Sequence, residues 1–122
     1  MPRRPILVVD DDDDVRNMLC AVLSAEGYPT VAAADGVEAL SHMRRNPPSL
    51  LVVDMMMPRM DGEELIRAMA NDKSLVRIPI AIMSGQTPGP TSGPIRGVSA
   101  RLIKPFELDE LLTVVHRFVD PQ

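Results

Sequence analysis

The sequence predicts an α/β domain built on a doubly wound, five-stranded parallel sheet. Three observations carry that expectation. The runs ILVV (6–9) and LLVV (50–53) are apolar on both sides, as suits strands that helices cover on both faces. Segments of helical period separate the aliphatic runs, so that strands and crossover helices alternate along the chain. The 122 residues, 45% of them hydrophobic, fit one domain (1–122) around a single core and leave no room for a second.

Each element has its own signal. After the first strand, Val15, Leu19, Val22 and Leu23 recur at helical spacing, and Gly27 marks the stop. The second strand is YPTVAA (28–33). Asp35-Gly36 then opens a helix containing Ala39, Leu40 and Met43, which Asn46-Pro47-Pro48 ends. The third strand follows at 50–53. Asp61, with Glu64 three residues later, is placed to cap a third helix through Leu65, Ile66 and Met69. Asn71-Asp72 precede the fourth strand, IPIAIM (78–83), and RLI (101–103) is the fifth. Leu108, Leu111, Leu112 and Val115 form the stripe of the last helix. Between the fourth and fifth strands lies GQTPGPTSGPIRG (85–97), with Pro88, Pro90 and Pro94 among four glycines. An interior proline costs a helix about 3 kcal/mol and a glycine about 1, so a helix here is expected to be absent or shortened.

Charge and composition narrow the function. The net charge of -4 supplies no basic face for phosphates, so no nucleic acid is expected as a partner. No apolar run approaches the roughly 18 residues of a membrane span, and MPRRP precedes only four aliphatics, too few for a signal peptide. No membrane association and a cytoplasmic location are the resulting expectations. The single cysteine, Cys20, has no internal disulfide partner and reads as a core or boundary residue.

In open α/β sheets ligands bind at the carboxyl ends of the strands. The residues just past the expected strands are Asp10 and Asp11, Asp54, Ser84 and Lys104. Carboxylates gathered at one edge raise one another's pKa unless a cation sits among them. Mg²⁺ fits that place, because it prefers hard oxygens and takes one or two protein carboxylates while keeping positions for water and a phosphate oxygen. Lys104 adds a mobile positive charge and Ser84 a hydroxyl donor. The set describes phosphoryl chemistry with an aspartate nucleophile.

These residues resemble the receiver domains of two-component response regulators. The matching motifs are ILVVDD with Asp10 and Asp11, LVVDMMMPRMDG with Asp54 and Asp61-Gly62, the hydroxyl of Ser84 after IAIM, and the KPF of Lys104-Pro105-Phe106. They occur in order at family-like spacing over nearly the whole chain. The resemblance implies the flavodoxin-like strand order 2-1-3-4-5 and a phosphoryl group accepted by Asp54 from a phosphohistidine on a histidine kinase or phosphotransfer protein. It implies Mg²⁺ bound by Asp11 and Asp54 directly, by Asp10 largely through water, and by the backbone carbonyl of Met56. Ser84 and Lys104 would hold the phosphoryl oxygens, and the Lys104-Pro105 peptide would be cis. The module would not be an enzyme beyond self-catalysed phosphoryl transfer and autodephosphorylation, and it would signal by contact with a downstream protein.

The run of five aspartates at 10–14 then divides: Asp10 and Asp11 belong to the site, while Asp12, Asp13 and Asp14 cap and charge a helix start. Two other readings remain open on sequence. One is a pseudo-receiver that binds partners without phosphorylation. The other is a haloacid-dehalogenase-like phosphatase using Asp10 and Asp12, in which Asp54 would be idle. Two features depart from the receiver pattern. One is segment 85–97. The other is Arg101, which stands where many receivers carry an inward-turning aromatic, so that output is expected to run through loop ordering. Gln86 and Met56 lie where side chains influence water access. His42 and His116 read as surface or boundary residues with no carboxylate at ligand spacing.

Overall fold

The structure is a computed structural model and describes residues 4–57, 59–85 and 97–120. Its elements run β1 (Ile6–Val9), α1 (Asp13–Ala25), β2 (Thr30–Ala33), α2 (Gly36–Arg45), β3 (Leu50–Asp54), α3 (Gly62–Ala70), β4 (Ile80–Ser84), β5 (Ala100–Ile103) and α4 (Leu108–Val119). All strand pairs are parallel, and their order is β2-β1-β3-β4-β5.

Alternation along each strand sends side chains to two separate cores. Leu7 and Val9 of β1, Leu51 and Val53 of β3, and Ile80 and Ile82 of β4 face α2 and α3, meeting Ala39, Leu40, Met43, Leu65, Ile66 and Met69. Ile6, Val8, Leu50, Val52, Ala81 and Met83 face the other way, against Leu19 and Leu23 of α1 and Leu111 and Val115 of α4. Burial on both faces is why ILVV and LLVV carry no polar residue. Cys20 is half-buried and packs on the second core.

Strand limits differ from the sequence expectation where proline intervenes. β2 begins at Thr30 instead of Tyr28, and β4 at Ile80 instead of Ile78. Pro29 and Pro79 have no N–H to give a ladder and serve only as acceptors, for Ile6 N and Leu51 N respectively. Tyr28 belongs instead to the end of α1: Gly27 has φ 92°, Gly27 N donates to Ser24 O, and Tyr28 N donates to Leu23 O, closing the helix with a left-handed glycine. At their other ends β3 and β4 each run one residue further than expected, taking in Asp54 and Ser84.

The described residues contain four helices, two on each face of the sheet. The expectation of an absent or shortened helix between β4 and β5 falls mainly on residues 86–96, which lie outside the described residues, as does Gln86.

Candidate functional site

Parallel strands end together, and the chain leaves each one at the same edge of the sheet. Register places Val9 beside Val53, Asp54 beside Met83, and Ser84 beside Ile103. Asp10, Asp54, Ser84 and Lys104 therefore emerge side by side, as the sequence predicts. Carboxylate oxygens of Asp10, Asp11 and Asp54 all lie within 4.8 Å of one another. Lys104 Nζ stands 3.3 Å from Asp54 Oδ2 and 3.5 Å from Asp10 Oδ2. The Lys104-Pro105 peptide is cis, and Lys104 N donates to Ser84 O at 2.7 Å, fixing the start of the β5–α4 connection to the end of β4.

The aspartate run is held apart by four different devices. Asp10 is fully buried, and its Oδ1 accepts the Asp12 N–H at 2.9 Å while Oδ2 faces Lys104. Asp11 is exposed, yet keeps a carboxylate oxygen within 4.8 Å of those of Asp10 and Asp54. Asp12 is the N-cap of α1, its Oδ1 accepting from Asp14 N at 2.9 Å and Val15 N at 3.3 Å. Asp13 pairs with Arg16, which also donates from Nη1 to the Asp10 carbonyl at 2.7 Å. The sequence signal for Arg16 is its place one turn into an acidic helix start.

Asp54 is 7% exposed, and burial raises its carboxyl above the ordinary aspartate range. The Met56 N–H (3.2 Å to Oδ1) and the Lys104 charge pull in the opposite direction without cancelling that effect, and the Asp10 charge adds to it. Sequence reading anticipated mutual repulsion of carboxylates; burial proves the larger cause. Lys104 shows the complementary balance: burial disfavours its charge, but Asp54 and Asp10 outweigh this and raise it above the usual lysine value.

Three carboxylates offer hard oxygen donors within one ion's reach, and a group of this chemistry suits a small divalent cation. Among the described residues it is the one such cluster. Met56 turns its side chain outward, 77% exposed, whereas Met55, Met57 and Met60 pack on the first core as gap fillers. Arg101 is exposed on β5, in keeping with the exclusion of a charged end from an apolar slot.

His116 is exposed, as expected of a surface residue, but the expectation that no carboxylate lies at ligand spacing is overturned. A carboxylate does lie one turn along, because α4 continues to Val119: His116 Nδ1 is 3.7 Å from Asp120 Oδ2 and 3.0 Å from the Tyr28 hydroxyl, which donates to Asp120 Oδ2 at 2.5 Å. This cluster ties α4 to the start of β2 at the edge of the sheet opposite the acidic crevice. His42 is half-buried in α2.

A doubly wound parallel sheet of order 2-1-3-4-5 with a carboxylate triad and a lysine at its carboxyl edge defines an α/β module of flavodoxin-like topology. The family model for the response regulator receiver domain matches residues 6–116. The chain belongs to that family. It is 42% identical over 112 residues to the response regulator MprA of Mycobacterium sp. (strain KMS), covering 92% of this chain and 48% of that protein. It is 32% identical over 119 residues to sporulation initiation phosphotransferase F of Bacillus subtilis (strain 168), covering 98% of this chain and 96% of that one. Among solved structures, the receiver domain of the Francisella response regulator 1452 superposes with a TM-score of 0.85 at 30% identity, over 97% of this chain and 98% of the other. The chain thus spans about half the length of the MprA relatives and nearly all of the Bacillus protein. Among the described residues no helix is long and apolar enough to cross a membrane.

Proposed function

We propose that this chain is a phosphoacceptor module of a two-component phosphorelay, acting as one receiver domain over 1–122, with Asp54 as the acceptor. The observation that carries the reading is the 3.3 Å approach of Lys104 Nζ to Asp54 Oδ2 beside the Asp10 and Asp11 carboxylates. An Asp54 oxygen forms a bond to phosphorus as the bond from phosphorus to the donor nitrogen breaks, and the histidine leaves with the electron pair. Charge then rests on the phosphoryl oxygens, and Lys104 and Ser84 are the groups that meet it.

Asp10, Asp11, Asp54 and the main-chain carbonyl of Met56 would hold Mg²⁺, whose bound charge would offset that of the carboxylates and the incoming phosphoryl group. Lys104 already plays part of that role for Asp54 and Asp10. The donor would be a phosphohistidine on a histidine kinase or phosphotransfer protein, and the readout a change in contacts with a downstream protein, driven by the added charge. Beyond its own phosphorylation and dephosphorylation the module would turn over no substrate, and it would work in the cytoplasm.

The test is intact-protein mass after incubation with acetyl phosphate. A single phosphoryl adduct is expected that requires Mg²⁺ and disappears in Asp54→Asn. A folded, Mg²⁺-binding wild type that stays unmodified by acetyl phosphate and by phosphohistidine donors would overturn the reading.

A further inference from the structure

The connection from β3 to α3 carries Met56 and leaves Asp54 directly, so its position decides what the crevice presents. Its near end is fixed by contact: Gly62 N donates to Met55 O at 3.3 Å, and a Cβ at Gly62 would meet Met55 Cα at 2.9 Å. Its far side is fixed by α2. Gly36 N donates to Met60 O at 3.1 Å, and a Cβ at Gly36 would lie 2.7 Å from that same oxygen. Asp35 divides its carboxylate between two tasks. Oδ1 accepts from Glu38 N at 2.9 Å and caps α2, while Oδ2 takes Arg59 Nε at 2.8 Å together with Arg59 Nη2.

Arg59 is also the one non-glycine residue with positive φ among the described residues, at 63°. That conformation is unfavourable for a side-chain-bearing residue unless something holds it, and the guanidinium of Arg59 is anchored on Asp35. The Glu38 N–H, then Arg59, hold the Asp35 carboxyl below the usual range despite its burial, so that carboxylate stays ionised at neutral pH. The Arg59 side chain is 62% exposed. With the guanidinium end in solvent and only Asp35 buried, the pair contributes modestly to global stability; its main consequence is where the connection sits.

We propose that Asp35 and Arg59 are positioning residues for the cation site, holding the β3–α3 connection from outside the crevice and thereby setting its affinity for a divalent ion neither of them touches. This rests on the receiver reading, because it takes the Met56 carbonyl as a ligand. Mg²⁺ demands near-ideal octahedral placement, so a main-chain ligand on a slack connection binds it poorly.

Two variants separate anchoring from capping. Arg59→Gln removes the cation, whereas Asp35→Asn keeps a competent helix cap and loses the charge. Titration calorimetry with MgCl₂ alone is expected to show affinity about 10-fold weaker than wild type in each single variant, and the same loss without further weakening in the double variant, because one interaction is lost in all three. Hydrogen exchange without Mg²⁺ is expected to accelerate in the peptide 55–61, while the unfolding temperature in chelator stays at the wild-type value. Wild-type Mg²⁺ affinity in either variant would overturn the inference and leave the receiver reading standing. A wild type that binds no Mg²⁺ would overturn the receiver reading and this inference with it.

Discussion

Lys104 reaches Asp54 across β4, its ammonium 3.3 Å from Oδ2, although β5 and β3 are not neighbours in the sheet. The lysine side chain supplies positive charge where two buried carboxylates converge, and so stands where a metal ion's charge is also favourable. Lysine and cation are partly in competition for the same oxygens.

Replacing Lys104 by Met keeps the aliphatic stem and removes that competitor. Mg²⁺ is expected to bind about 5-fold more tightly, a difference of roughly 1 kcal/mol for one unit charge near a partly solvated site. Phosphorylation by acetyl phosphate is expected to slow by at least about 10-fold, because the charge that meets the phosphoryl oxygens is gone. Calorimetry and the rate of adduct formation check the two directions. Weaker Mg²⁺ binding in the variant would refute the competition.

Asp54 costs the folded state stability when ionised. Its pKa is raised above the unfolded value, chiefly by burial, so the folded chain binds that proton more tightly than the unfolded chain does. The penalty is therefore present at neutral pH and fades as pH falls through the raised folded pKa toward the unfolded value. In Mg²⁺-free buffer, Asp54→Asn is expected to be more stable than wild type at pH 7 by on the order of 1 kcal/mol, the scale of a buried charge only partly compensated. The gap is expected to narrow as the solution is acidified. Urea unfolding at several pH values measures it, and a gap that widens toward acid pH contradicts the assignment.

Gly62 opens α3 against the residue that follows Asp54. A Cβ there would stand 2.8 Å from Met55 Sδ and 3.0 Å from the Asp54 carbonyl oxygen, and two of its three nearest atoms are main chain. Helix propensity favours Ala over Gly by about 1 kcal/mol, but forcing a methyl into a closed contact costs about 1–3 kcal/mol. Gly62→Ala is expected to lose stability in urea and also to weaken Mg²⁺ binding, since backbone beside Asp54 must move. A net gain in stability would mean that the contact yields easily.

Much of this was legible in the chain because the signals are local. Two-sidedly apolar runs of four residues, the Asp61 cap, and the boundaries at Gly27 and Asp35-Gly36 each depend on neighbours a few positions away. The same locality explains the errors at Tyr28 and Ile78: an apolar residue before a proline continues a hydrophobic pattern, while the missing N–H removes it from the ladder. Asp10, Asp54, Ser84 and Lys104 were identifiable because parallel strands present their ends at one edge, whichever strands are adjacent.

What the chain did not disclose are relationships between distant residues. The Asp35–Arg59 pair joins residues 24 apart, and Tyr28 with Asp120 joins residues 92 apart. Neither partner carries a local pattern that names the other. The cause of the Asp54 shift is of the same kind, because burial is a property of the assembled layers and a sequence shows only which charges are present. Periodicity and turn chemistry specify elements and their ends, whereas distances across the sheet follow from how two packed faces fit together. The residues at the crevice were therefore readable from sequence, and their electrostatic balance was set by packing.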